Sequence, residues 1–262
     1  MMKKTLISMA CAAAMAAPAA QAEISANIGV TSDYLWRGFT QSGHEAAVSG
    51  GLDYAHDSGF YAGVWTSSLG GGSHEVDGYF GFSGEAGALG YDLGYIYYGY
   101  LNCTDCDFSE IYASLSYNWF TAGINYTVDG DSGTLFDSGD IYYYAGASFD
   151  LEPMSSQLAG WSIGLTVGHY DFDFGGSAFD YNNVHLDLSK SVGDFGDITL
   201  LSEDPVDPEI RQLVGRSRVN GRLAEDVEEV LAVVERDDAG GSVFVEYGAV
   251  AVHFSDQPGR DR

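Results

Sequence analysis

The sequence predicts an all-β fold, an antiparallel up-and-down transmembrane β-barrel of about 12 strands in its intact form, with about 11 of them readable here. Three observations predict it. Apolar and polar or small residues alternate in short segments from Glu23 to about Leu201, each closed by a glycine- or aspartate-rich turn. In Phe108–Tyr117, for instance, Ile111, Ala113, Leu115 and Tyr117 share one face while Glu110, Tyr112, Ser114 and Ser116 share the other, the period-two signature of a strand. An export leader precedes the segments, with no stretch near the ~20 apolar residues of a spanning helix, so a closed barrel is the structure left for a membrane. Long connections alternate with shorter ones, and aromatic residues gather near segment ends.

The leader comes first in the chain. Lys3 and Lys4, an apolar stretch Leu6–Ala17 and the small-x-small pattern Ala20-Gln-Ala22 make residues 1–22 a signal peptide, with the mature chain starting at Glu23. The competing readings are an uncleaved anchor, for which the apolar stretch is too short, and a lipoprotein at Cys11, for which Ser8-Met-Ala-Cys11 lacks the expected leucine.

The predicted strands follow as Ile24–Tyr34, Ala46–Ala55, Phe60–Thr66, Glu75–Phe82, Tyr91–Tyr100, Phe108–Tyr117, Phe120–Val128, Asp140–Asp150, Trp161–Tyr170, Asn182–Lys190 and Phe195–Leu201. If the first strand leaves the periplasm, Arg37–His44, Ser67–His74, Leu101–Asp107, Asp129–Gly139 and Asp171–Tyr181 lie outside the cell. The periplasmic turns are then His56–Gly59, Ser83–Gly90, Asn118-Trp119, Leu151–Gly160 and Ser191–Asp194. Val48, Leu52, Val76, Phe80, Phe82, Ile141 and Tyr143 fall on the lipid face, while Asp53, Glu75, Asp77, Tyr79, Tyr142 and Tyr144 fall inside. A soluble β-sandwich would show the same periodicity. Tyr97, Tyr98, Tyr100, Tyr117, Trp119, Phe120 and Tyr142 to Tyr144, read as interfacial girdles, favour the membrane.

Composition changes within the chain. Its formal net charge is −27, yet from Pro205 to Arg262 there are seven arginines, whereas Glu23–Asp204 carries only Arg37 and Lys190 as basic residues. Residues 23–202 are thus the outer-membrane β-barrel, and 203–262 an atypical tail, with helical spacing over Arg222–Arg236 and one possible strand over Gly241–Phe254. A shift of reading frame near Leu200–Ser202 accounts for such a tail; a small α/β appendix is the alternative.

So acidic a chain has no clustered lysines and arginines to hold nucleic-acid phosphates, and cations are its expected small partners. Inward acids carry the chemistry: Asp53, Glu75, Asp77, Asp92, Glu110, Asp140 and Asp187 are the expected lumen-facing residues setting pore selectivity, since carboxylate rings attract cations. In a filled barrel the same acids would only hydrate the interior. Arg37, in Thr31-Ser-Asp-Tyr-Leu-Trp-Arg-Gly38, is a candidate pin that pairs bidentately with a carboxylate to hold a wall or loop.

Cys103 and Cys106 are expected to form a loop disulfide in the oxidising compartment. Asp129-Gly-Asp-Ser-Gly133 fails the calcium-loop pattern because Gly133 and Thr134 are out of place. Histidines 44, 56, 74, 169, 185 and 253 are scattered, with neither HExxH nor GxSxG. No enzyme, catalytic residue, metal or cofactor is expected. The function expected is passive diffusion of small, preferentially cationic solutes through an acidic lumen in the Gram-negative outer membrane; the alternative is a structural or loop-binding protein with a filled barrel.

Thr31–Gly38, Gly50-Gly-Leu-Asp-Tyr-Ala-His-Asp-Ser-Gly-Phe-Tyr-Ala-Gly-Val-Trp65 and Tyr91-Asp-Leu-Gly-Tyr-Ile-Tyr-Tyr98, with Phe108–Tyr112 and Leu115–Tyr117, resemble the TorF-like porins of proteobacteria over about residues 24–200. The resemblance implies an outer-membrane barrel whose members continue past the position of Leu200 with alternating strand and finish near an aromatic residue. This chain departs from that pattern after Leu200.

Overall fold

The computed structural model describes residues 22–130, 136–173, 179–192, 196–205 and 249–255. Its first strand, β1 (Ala22–Thr31), is followed by a small hairpin, β2 (Leu35–Trp36) and β3 (Phe39–Thr40). The wall continues as β4 (Ala47–His56), β5 (Phe60–Ser68), β6 (His74–Ala86), β7 (Leu89–Leu101), β8 (Phe108–Tyr117), β9 (Phe120–Gly130), β10 (Ile141–Asp150), β11 (Trp161–Asp171), β12 (Tyr181–Ser191) and β13 (Asp197–Pro205). All these neighbours pair antiparallel, and β1 pairs with β4 across the small hairpin. The last strand, β14 (Ala249–Ser255), pairs with β13 on one side and β1 on the other, closing a ring of all-antiparallel strands.

Closure satisfies the edge groups that a membrane would otherwise leave bare. Strands about 4.8 Å apart and tilted by about 40° wrap, for this ring, a cylinder of about 12 Å backbone radius. Side chains reaching in from both walls leave space for one more thin element, and β2–β3 takes it at one end.

Alternation sorts the faces. Ile24, Ile28, Val48, Leu52, Phe80, Leu93, Ile111, Leu115, Leu165 and Leu186 all point away from the ring, with Leu93 60% exposed, so the aliphatic surface lies outside, and the buried cluster inside is aromatic, built on Tyr142, Tyr170, Phe172 and Tyr181. Apolar groups left in water on this scale are the mark of a lipid-facing wall. Outward Tyr117, Trp119, Phe120 and Phe149 cluster at one end, with Trp119 stacked on Phe149 at 5.3 Å between ring centroids. Tyr97, Tyr126 and Tyr143 mark the other end. No helix among the described residues is long and apolar enough to cross a membrane.

Several expectations shift. Tyr98 and Tyr100, assigned to the girdles, face inward, because in a strand adjacent residues take opposite faces; Tyr142 and Tyr144, counted with the girdles by their height, face the lumen as the alternation placed them. The predicted turn Ser83–Gly90 shrinks to Gly87-Ala88, since β6 and β7 pair as far as Ala86 and Leu89; small Gly84 and Ala86 hide the alternation there. The first strand stops at Thr31 instead of Tyr34, where Thr31 Oγ1 and the Asp33 backbone turn the chain inward. Pairing runs past residue 202 to Pro205 and takes in part of the tail through β14. The helical spacing at 222–236 and the supposed calcium loop's centre lie outside the described residues.

Candidate functional site in the barrel lumen

The chain between β1 and β4 folds into the mouth of the barrel. Arg37 and Gly38 form the two-residue turn between β2 and β3, with φ of 48° and 93°. Positive φ at both centres is what a tight hairpin turn of right-handed twist requires, and arginine takes such a φ only under constraint. Asp33 supplies part of that constraint: its carboxylate accepts from Thr40 Oγ1 at 2.5 Å and Ser42 Oγ at 3.0 Å, and meets His44 Nδ1 at 2.8 Å.

Arg37 supplies the rest. Its two terminal nitrogens donate to Glu110 Oε1 and Oε2 at 2.7 and 2.8 Å, a bidentate pair with Glu110 fully buried. The guanidinium lies 4.3 Å from the ring centroids of both Trp36 and Tyr142, a geometry in which ring faces attract the cation. Burial works against this charge, but Glu110 more than offsets it and holds the guanidinium above its ordinary range. Glu110 also accepts from Tyr98 at 3.2 Å and Asn125 at 3.0 Å, while Tyr181 donates to the Arg37 carbonyl at 2.9 Å.

Aromatic contacts spread the hairpin across the mouth. Trp36 packs against Tyr98, Phe108, Phe136 and Tyr170, Phe39 against Tyr181, and Tyr34 against Trp65. The hairpin segment therefore reaches β5, β7, β8, β10, β11 and β12. It occupies the mouth from wall to wall.

The expected lumen acids divide into two levels. Glu75, Asp77, Glu110 and Asp140 sit at the mouth, each no more than 5% exposed. Asp140 lies one residue before β10 and accepts from the Asp173 and Asp137 amides at 2.9 and 3.2 Å, so it fastens the outer loops to one another. Burial raises its carboxyl above the usual range, and those amides pull the other way. Glu75 Oε2 and Asp77 Oδ1 are buried with no hydrogen-bond partner among the described residues.

Deeper in, Asp53 and Asp92 line a cavity of about 560 Å³ with Tyr61, Tyr79, Tyr112, Tyr144 and Asn125. Tyr79 and Asn27 hydrogen-bond Asp53, the latter at 3.2 Å, and Tyr61 donates to Asp92 at 2.6 Å. Asp187 stands apart on β12, with His185 Nε2 3.7 Å away. Outside the lumen, Cys103 and Cys106 are joined by a disulfide in the loop between β7 and β8. No cluster of three or more His, Cys, Asp or Glu side chains suited to a metal forms among the described residues.

Sequence reasoning missed the small hairpin, because Arg-Gly is not one of the usual turn pairs. It missed Asn125 and the tyrosine wall as cavity residues, although period two did place Tyr79 and Tyr144 inside.

Comparison with known proteins agrees with this architecture. The KdgM porin, solved in complex with disordered oligogalacturonate, superposes with a TM-score of 0.52 at 6% identity, covering 90% of this chain and 100% of that one. The NanC porin follows at TM-score 0.43, 11% identity and coverage of 89% and 98%, and OccAB3 of Acinetobacter baumannii at 0.38, 10%, 86% and 59%. The first likeness carries the fold, that of an outer-membrane β-barrel porin. No curated protein matches. A family model described as "Bacterial protein of unknown function (Gcw_chp)" matches residues 15–209, most of the chain, and to that family the chain belongs.

Proposed function

We propose that the chain is a porin-like channel of the Gram-negative outer membrane, passing small solutes by diffusion with a preference for cations and without a catalytic step. One observation carries the reading: an apolar outer wall encloses a polar lumen in which Asp53 and Asp92 face a cavity. Arg37, the lumen's one lysine or arginine among the described residues, is neutralised by Glu110. Carboxylates behind low-dielectric walls concentrate cations and repel anions.

The hairpin across the mouth favours a second reading, a filled and non-conducting barrel with a structural or loop-binding role. Planar-bilayer recording separates the two: the channel reading expects a cation-directed reversal potential under a salt gradient, and absence of conductance from folded protein, even with the hairpin released, favours the filled barrel.

Membership of the TorF-like porins, export by a signal peptide at residues 1–22 and a shifted reading frame as the origin of residues 203–262, of which 203–205 and 249–255 pair into the ring, belong to the same proposal. The motif segments that resemble those porins fall on the mouth hairpin, β4–β5, β7 and β8. The family match ends at residue 209, close to the change in composition at Pro205. Translating the gene's other frames beyond Leu200 tests the last point: an alternating segment ending in an aromatic residue supports it, and its absence defeats it.

A further inference from the structure

Tyrosine tiles one side of the inner wall. Tyr61 of β5, Tyr79 of β6, Tyr112 of β8 and Tyr144 of β10 each place the tip of the ring where a Cβ would stand on a glycine of the neighbouring strand, respectively Gly81, Gly63, Gly94 and Gly123. Because those positions are bare, the rings lie down along the wall instead of standing into the lumen. Each then turns one face to the backbone and the other to the cavity. The hydroxyls are tied off at the edge, Tyr61 to Asp92 at 2.6 Å and to Tyr112 at 2.5 Å, and Tyr79 to Asp53.

What faces the cavity is therefore a sheet of negative ring faces with two carboxylates set among them and no basic lining residue. An anion is repelled there. A small inorganic cation keeps its hydration better in water than among rings. A cation carrying apolar CH groups gains from both surfaces, as quaternary ammonium ions do in aromatic cages. The cavity of about 560 Å³ is within the range of small-molecule sites.

We propose that this tyrosine-faced chamber is a binding site for small organic cations of the alkylammonium type, the solute class the channel selects. The proposal rests on the channel reading, since the solute must reach the lumen, but its test is separate.

The full chain, refolded in detergent and checked by heat-modifiable gel mobility, is titrated calorimetrically with choline chloride, with sodium chloride and with the neutral isostere 3,3-dimethylbutan-1-ol. Arg37→Ala protein is titrated alongside, so that a closed mouth does not mask the chamber. Saturable binding of choline alone is expected. Asp92→Asn and Tyr112→Leu should each weaken it about tenfold, and Tyr112→Phe, which keeps the ring, should retain most of it. No saturable choline binding by folded protein of either kind, equal binding of the alcohol, or folded Asp92→Asn and Tyr112→Leu variants that bind like the parent overturns the proposal. Conductance in sodium chloride distinguishes the two readings: selective conductance without choline binding removes the cage alone, and choline binding without conductance removes the channel alone.

Discussion

Replacing Arg37 by alanine should release the hairpin from the mouth while leaving the wall intact. Glu110, fully buried, would keep only Tyr98 and Asn125 as side-chain partners. Removing one member of a buried ion pair costs about 3–5 kcal/mol, and the lost ring contacts at Trp36 and Tyr142 add about 1 kcal/mol each. The barrel can escape that cost by letting the hairpin leave, because Arg37 is on no wall strand and water then reaches Glu110. At about 1.4 kcal/mol per tenfold, the balance between seated and released hairpin moves toward release by at least about 10²-fold. Single-channel recording should show a correspondingly higher open probability, and amides of residues 33–42 should exchange faster. Arg37→Met with Glu110→Leu replaces the pair by apolar side chains of similar size and should restore much of the closure. An Arg37→Ala protein that folds, opens no more often than the parent and keeps those amides protected refutes the reasoning.

Other consequences are smaller in reach. Gly63→Ala places a methyl group where the Tyr79 ring lies and should lower the temperature of the heat-modifiable transition, in line with about 1–3 kcal/mol for overpacking, whereas Gly78→Ala, with nothing near its added Cβ, should leave it unchanged. Leu93→Arg puts a charge on the lipid face and should cost about 2–4 kcal/mol in folding titrations into lipid, against near zero for Leu93→Ile. Truncation after Pro205 removes β14 and leaves β1 and β13 as open edges, so the heat-modifiable species should vanish.

Strands were legible because lipid outside and water inside impose a period of two over many segments. Val48, Leu52, Phe80 and Leu115 fell on the outer face for that reason alone. Where the outer residue was small, as at Gly84 and Ala86, the contrast faded and the hairpin joining β6 to β7 looked like a long turn. Tyr98 and Tyr100 were drawn into the girdles by their place near a strand end, a measure of height that ignores facing, whereas at Tyr142 and Tyr144 the alternation gave the facing. The lumen was legible in residue type and not in geometry. Arg37 was conspicuous as a lone cation, but Glu110 stands 73 positions away, and only the register of the closed sheet brings the two together. The tyrosine-over-glycine contacts are cross-strand as well: Gly63 meets Tyr79 through the β5–β6 register, which no local pattern encodes.

An acidic lumen should conduct cations once the mouth hairpin is free. Folded Arg37→Ala protein in a planar bilayer, under a potassium chloride gradient, tests it most directly. A reversal potential of the sign set by potassium is expected; a potential of the opposite sign, or no conductance at all, contradicts a cation-conducting lumen.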